Sequence, residues 1–186
     1  MKNSLLAIVL LFSTLGYGQE DTETSKHEIK TNVFNLIIFK APEFTYEYLI
    51  DSESSVGASI MFNLQQTEDN DFIDGPYYNE KFTFTPYYRR YISKKYASRF
   101  FFEAFGMFNT QVDYDGVWSN DFQTITYSDE TSGNLAFGVA VGSKFVSSGG
   151  FLFEFYGGVG RNIITGDKDI AYELVPRLGI SLGYRF

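Results

Sequence analysis

An alternation of side-chain character with a period of two residues constrains the fold of this chain more than any other feature. In the clearest stretch, 151–161, Phe151, Phe153 and Phe155 fall on one face, whereas Glu154 falls on the other among small residues. Successive side chains of a β-strand point to opposite faces of the sheet, whereas helical faces repeat every 3.6 residues. The pattern therefore predicts β-strands with one apolar and one polar face.

Similar segments recur along the chain, so the sequence predicts eight strands. They cover 30–39, 43–50, 55–65, 81–92, 99–108, 135–145, 151–161 and 176–186. The faces of the first cannot be assigned, because its middle is apolar on both sides. Short connections at 51–54, 93–98 and 146–150 alternate with long ones at 66–80, 112–131 and 162–173. The connection 40–42 is the one exception, because it is short although it falls on the same side of the barrel as the long loops. This pattern predicts an all-β, eight-stranded antiparallel up-and-down transmembrane barrel.

The composition of the two faces favours a membrane barrel over a soluble β-sandwich. The chain has 20 Phe, 14 Tyr and 17 Gly, with a mean hydropathy of −0.14. The apolar face is rich in Phe, and the polar face sets single charges among small residues, as a narrow polar lumen requires. In hydrocarbon all backbone groups must pair within the protein, which helices and closed barrels achieve.

The N-terminus predicts export. Lys2 precedes the apolar run 5–15, and Gly16-Tyr17-Gly18 offers small residues at a cleavage site before Gln19. This pattern is typical of a signal peptide. We therefore expect a signal peptide at 1–18, a flexible tail at 19–29 and an outer-membrane barrel at 30–186. The only histidine, His27, falls in the tail, where no functional role is expected, and the absence of cysteine excludes disulfides and thiolate sites.

The segment 30–186 resembles the small eight-stranded outer-membrane barrels of the OmpA transmembrane-domain and OmpX type. It is more closely similar to a Bacteroidota family of such barrels whose function is unknown. The resemblance depends on the signal peptide, the eight alternating strands, inward Glu103 and Glu154, and the final segment 178–186. Its terminal Phe186, with Tyr184, is similar to the signal that the barrel-assembly machinery recognises. The resemblance implies an architecture and leaves the activity open.

Charged residues on the inward faces are the first candidate site. They are Glu43, Glu47, Lys81, Arg89, Glu103, Lys144, Glu154, Arg177 and Arg185. An eight-stranded barrel is just wide enough for side chains to fill it, and unpaired charges there are costly. We expect a salt-bridged plug; the alternative is a narrow pore or a proton path. Structural pairing of Glu103 and Glu154 is favoured over acid–base catalysis.

The long loops are acidic and carry the candidate contact residues Tyr77, Tyr78 and Trp118. The spacing of Asp69, Asp71 and their neighbours does not match a calcium loop, so solvated loops are favoured over a metal site; divalent bridging to lipopolysaccharide phosphates is the intermediate case. We expect no cofactor and no catalytic residue, since a rim histidine is missing for a serine nucleophile.

These features predict a non-enzymatic outer-membrane protein with a structural or accessory role. The alternatives are a narrow channel or small-solute transporter and, less favoured, a lipid-modifying enzyme. The expected partners are outer-membrane lipid, the barrel-assembly machinery and another outer-membrane protein. A formal net charge of −8 argues against nucleic acid.

Overall fold

A computed structural model describes residues 25–64, 80–92, 97–113, 116–118, 125–127, 130–166 and 173–186, with the side chains of 112–131 outside the description. The strands are β1 (His27–Asn32), β2 (Glu43–Leu49), β3 (Ser54–Phe62), β4 (Glu80–Tyr91), β5 (Arg99–Asp113), β6 (Gly116–Trp118), β7 (Ile125–Tyr127), β8 (Glu130–Val146), β9 (Phe151–Thr165) and β10 (Leu174–Arg185). Helix α1 (Val33–Phe39) follows β1.

Eight antiparallel strands form a closed barrel in the order β1-β10-β9-β8-β5-β4-β3-β2, while β6 and β7 form a separate hairpin. The predicted eight-stranded antiparallel fold is therefore confirmed. The first and last strands close the barrel, and the amide of His27 donates to the carbonyl of Phe186 (3.1 Å) and receives the reciprocal bond (2.9 Å). We call the end that contains this pair the turn end, because the connections 50–53 and 147–150 also lie there, as do the end of β4 and the start of β5. The opposite end is the loop end.

The two faces of the barrel wall have inverted polarity compared with a soluble protein. In β9, Glu154 is buried inside, whereas Phe153 and Phe155 point outward and are exposed. The eight barrel strands all present an exposed large apolar side chain on the outside: Ile29, Phe44, Ile60, Phe84, Phe102, Phe137, Phe155 and Leu178. The interior contains the charged and amide side chains. Alternation in the sequence thus corresponds to an apolar exterior and a polar lumen.

The first predicted strand, 30–39, is wrong from Val33 onward, where the chain forms a helix. The chain leaves β1 after Asn32, whose side-chain oxygen accepts a hydrogen bond from the amide of Asn35 (3.2 Å) and so caps helix α1. The helix ends at Lys40, which adopts a left-handed conformation (φ 51°). Both are local helix boundary signals that override a short apolar run. Helix α1 has seven residues, and no helix in the described part of the chain is long and apolar enough to cross a membrane.

The start of the barrel also differs from the expectation. Strand β1 begins at His27, and Glu28 faces the interior fully buried, whereas both were expected in a flexible tail. At the loop end of β4, the pairing with β5 shifts between Glu80 and Phe82. This irregularity turns Lys81 outward, where it is exposed, and places Glu80 inside. The prediction that Lys81 faces the lumen is therefore wrong, because a bulge reverses the alternation locally.

A side chain also organises the turn between β2 and β3. The carboxylate of Asp51 accepts a hydrogen bond from the backbone amide of Glu53 at 2.7 Å. This bond to the charged form holds the pKa of Asp51 below its ordinary value. The turn is therefore stabilised by a local backbone contact that aspartate makes readily.

The closing pair of strands generates the first prediction. Gly183 lies so close to β1 that an added Cβ would collide with the carbonyl oxygen of Ile29. We expect Gly183→Ala to lower the free energy of unfolding by about 1–3 kcal/mol, the usual cost of overpacking. Urea unfolding of the refolded chain measures the loss. Gly149→Ala is the control, because a Cβ there has no neighbour within 4 Å; equal stability of the two variants would contradict close packing at the closure.

Candidate functional site

The barrel interior contains an ion-pair system that we call the lumen charge network. It comprises the carboxylates Glu28, Glu43, Glu47, Glu103 and Glu154 and the cations Lys30, Arg89, Lys144, Arg177 and Arg185. All ten side chains are buried. The network has equal numbers of both signs, so its formal charges cancel within the protein.

Strand register places several opposite charges side by side. Arg89 of β4 pairs in register with Glu103 of β5, and Lys144 of β8 pairs with Glu154 of β9. Both members of such a pair have their side chains on the same face of the sheet. Register therefore supplies part of the network before any long side chain bends towards a partner.

Register also creates a conflict that a cation resolves. Glu28 lies directly opposite Glu47 on the neighbouring strand, which would place two like charges together. The ammonium group of Lys144 reaches across the lumen to both, at 2.7 Å from Glu28 Oε2 and 2.8 Å from Glu47 Oε1. A strand on the far side of the barrel thus neutralises the repulsion between β1 and β2.

Glu47 is the most heavily coordinated carboxylate of the network. Besides Lys144, its oxygens accept hydrogen bonds from Lys30 (2.5 Å) and Arg89 (3.0 Å). Hydroxyl groups of Ser55, Tyr87 and Tyr91 complete its surroundings. This carboxylate is held in its charged form by donors from several strands, and it links the turn end of the network to the middle of the barrel.

Arg89 is the central cation. Its guanidinium makes two bonds to Glu154, at 2.6 and 3.0 Å, and its Nε donates to Glu103 at 2.6 Å. It also lies over the ring of Phe101, with 4.1 Å between Cζ and the ring centroid. Such planar, bidentate and stacked geometry is specific to arginine. Both carboxylates that sequence analysis considered for catalysis therefore have Arg89 as a common ion-pair partner.

The network continues to the loop end through Arg177. Its Nε donates to Glu103 at 2.7 Å, and its terminal nitrogen lies 3.6 Å from a Glu43 oxygen. At the turn end, Arg185 bonds Glu28 at 2.6 Å. Ion pairs consequently follow one another along most of the lumen, and they cross-link strands that are not neighbours in the barrel wall.

Apolar and amide side chains fill the space around the charges. One apolar cluster includes Tyr87, Phe105 and Val175, and a second includes Leu49 and Phe101. Towards the loop end lies an amide cluster of Asn109, Asn134 and Asn162, joined by bonds of 3.1–3.2 Å. Two buried side-chain atoms of the described residues have no hydrogen-bond partner, namely Asn35 Oδ1 and Thr85 Oγ1.

The remaining predicted residues lie outside the lumen or outside the described region. Phe186 lies exposed at the turn end, where it stacks on His27 with 5.8 Å between ring centroids, and Tyr184 is half-buried beside it. Tyr77 and Tyr78 are outside the described residues, and Trp118 lies in β6 with its side chain undescribed. The described residues contain no group of three or more His, Cys, Asp or Glu placed for a metal ion.

Sequence analysis missed Glu28 and Lys30. Glu28 was assigned to a polar tail, and the faces of the first strand were left open around Lys30. The available signal was the continuation of the alternation backwards from Lys30 through Glu28, with Ile29 between them on the other face. A strand start two residues earlier would have placed Glu28 and Lys30 together on one face of the strand.

A family comparison identifies the family of the chain without assigning an activity. Residues 4–174 match the model of a family described as "Protein of unknown function (DUF3575)". The chain belongs to this family. No curated protein and no solved structure matches it.

The network generates the second prediction. Arg89→Met removes the central cation and leaves Glu103 and Glu154 buried without it, so we expect a loss of about 3–5 kcal/mol in the free energy of unfolding. Arg90→Met is the matched control, because Arg90 is the next residue on β4, points outward and pairs with Glu53 where both are about half exposed. Its loss should be about 0–1 kcal/mol. Equal losses in urea unfolding would contradict a stabilising role for the internal ion pairs.

Proposed function

We propose that this protein is a non-enzymatic outer-membrane barrel with a closed, salt-bridged lumen and a structural or accessory role. The observation that carries the proposal is the inverted polarity of the wall, in which charges lie inside and Phe, Val, Ile and Leu lie outside. Soluble monomers rarely expose apolar patches larger than a few hundred Å². Insertion into a lipid bilayer would shield this apolar exterior from water.

The placement of outward charges supports a membrane-spanning belt. On β4, the outward residues between Lys81 and Arg90 are uncharged, and both charged residues are exposed near the strand ends. Nine residues at about 3.4 Å each, on a strand tilted by about 40°, span about 23 Å along the barrel axis. This height agrees with the apolar band of about 25 Å of outer-membrane barrels. The proposal includes three further points: the barrel is of the OmpA and OmpX type, the chain begins with a signal peptide, and its source is a member of the Bacteroidota.

The third prediction separates a lipid-facing wall from a water-exposed one. Val139, in the middle of β8, is 64% exposed. In a bilayer, Val139→Arg should lower the free energy of unfolding by about 2–4 kcal/mol, because its charge enters hydrocarbon. On a water-exposed wall the same substitution should change it by less than about 0.5 kcal/mol.

Urea unfolding of the chain refolded in phospholipid vesicles measures this difference. Ser147→Arg is the control, because Ser147 is exposed in the turn after β8 and should accept the charge in either case. A Val139→Arg variant with an unchanged free energy of unfolding would contradict insertion into the membrane.

The fourth prediction concerns the closed lumen. The side chains of Lys30, Arg89 and Lys144 meet carboxylates from strands that are not their neighbours in the wall, so we expect the narrow eight-stranded barrel to be filled rather than open. We therefore expect planar bilayers containing the refolded protein to show no discrete current steps. Reproducible steps that scale with salt concentration would favour the alternative, a narrow channel or small-solute transporter.

The fifth prediction tests the accessory role. The proposed contact residues are Tyr77 and Tyr78, between β3 and β4 in the sequence, and Trp118 of β6. A photo-crosslinking amino acid at Trp118 should yield an adduct with another outer-membrane protein in intact cells. The same amino acid at Ser148, in a turn at the other end of the barrel, should not yield that adduct. Absence of any protein adduct from all three loop positions would contradict the accessory role.

A further inference from the structure

A cavity lies inside the loop end of the barrel, beneath helix α1. Its lining includes Asn35 of α1, Glu43 of β2, Met61 of β3, Glu80 of β4 and Arg177 of β10. The empty space amounts to about 330 Å³ and is partly open to its surroundings. This space has room for about one particle of the size of a water molecule.

An unsatisfied acceptor lines this cavity. Asn35 is 2% exposed, and its Nδ2 donates to Glu43 Oε2 at 2.8 Å. The orientation of this amide follows from its partner, because a carboxylate only accepts hydrogen bonds. The oxygen of Asn35 is therefore the atom left over, and it has no partner among the described residues. An orphaned carbonyl oxygen of this kind requires a donor or a cation.

A surplus of negative charge accompanies this acceptor. Glu80 is 7% exposed, lies in the lining and accepts a hydrogen bond from the amide of Gln111. The five carboxylates and five cations of the lumen charge network already cancel. Glu80 therefore leaves the buried described residues with one formal negative charge in excess. A buried carboxylate in this position either takes up a proton or binds a cation.

We propose that the cavity binds a small monovalent cation of the class of Na⁺, K⁺ or ammonium, held by the carboxylate of Glu80 and the side-chain oxygen of Asn35. The single positive charge of such a cation balances the surplus negative charge of Glu80. Its size is close to that of the one water-sized particle for which the cavity has room, and oxygen ligands suit a hard cation. A divalent ion fits less well, because it would bring a second positive charge that no surplus carboxylate among the buried described residues balances.

Unfolding of the refolded mature chain in different chloride salts tests this site. Na⁺, K⁺ and ammonium are compared at equal ionic strength with N-methyl-D-glucamine, a cation too large for the cavity. Stability should rise saturably with at least one small cation. At a concentration ten times the dissociation constant, the ratio of folded to unfolded protein should rise about elevenfold. The separate salts identify which cation binds.

Variants assign the effect to the cavity. Glu80→Gln keeps the shape of the side chain and should remove the cation dependence, whereas Glu173→Gln, at an exposed acid paired with Arg161, should keep it. Asn35→Ala should weaken the dependence. Broadening of the ²³Na NMR signal by the unsubstituted protein, competed by K⁺, gives a direct reading even if a variant fails to fold.

Three results would overturn the proposal. Equal stability in all salts, with no ²³Na broadening, would show that the cavity takes no cation. Stability that changes with pH and not with the cation would assign the surplus to a proton on Glu80. A cation effect that persists in Glu80→Gln would place binding elsewhere on the protein. None of these results depends on membrane insertion, because the cavity lies within the barrel.

Discussion

Hydrogen bonding between β1 and β10 is the constraint on which the rest of this structure depends. It converts a sheet with two free edges into a closed wall in which the strands pair on both sides. A wall without edges can be apolar on the outside, because its backbone groups need no water. Closure with eight strands also fixes a narrow interior, so the inward side chains must fill it and pair with one another.

The lumen charge network is the consequence of placing charges in so narrow a space. Internal ion pairs add little net stability compared with an apolar core, because desolvation offsets their attraction, but each partner becomes costly to remove. Here Arg89 joins carboxylates of β2, β5 and β9, and Lys144 joins those of β1 and β2. The network therefore favours one arrangement of the strands over registers that would leave a charge alone. The cavity beside Asn35 is where this pairing stops and a surplus carboxylate, Glu80, remains.

The sequence predicted the parts of the fold in which local alternation and tertiary burial agree. Strand β9 is an example, since Phe153 and Glu154 take opposite faces as their period indicates. The prediction from sequence failed where a local structural feature interrupts the two-residue alternation. The cap at Asn32 starts a helix within an apolar run, and a bulge beside Glu80 turns Lys81 outward. Two partners of Glu47 could not be predicted, because Arg89 and Lys144 come from β4 and β8, which do not pair with β2 and reach Glu47 only once the barrel has closed.

We propose a closed barrel with an apolar exterior and a polar interior that belongs in an outer membrane. The most direct measurement is the electrophoretic mobility of the natural chain extracted from fractionated membranes into mild detergent, with and without boiling. We expect the chain in the outer-membrane fraction and a different migration of the unboiled band, because a closed barrel resists detergent unfolding at room temperature. A chain found in the soluble periplasmic fraction, with one mobility before and after boiling, would contradict this account.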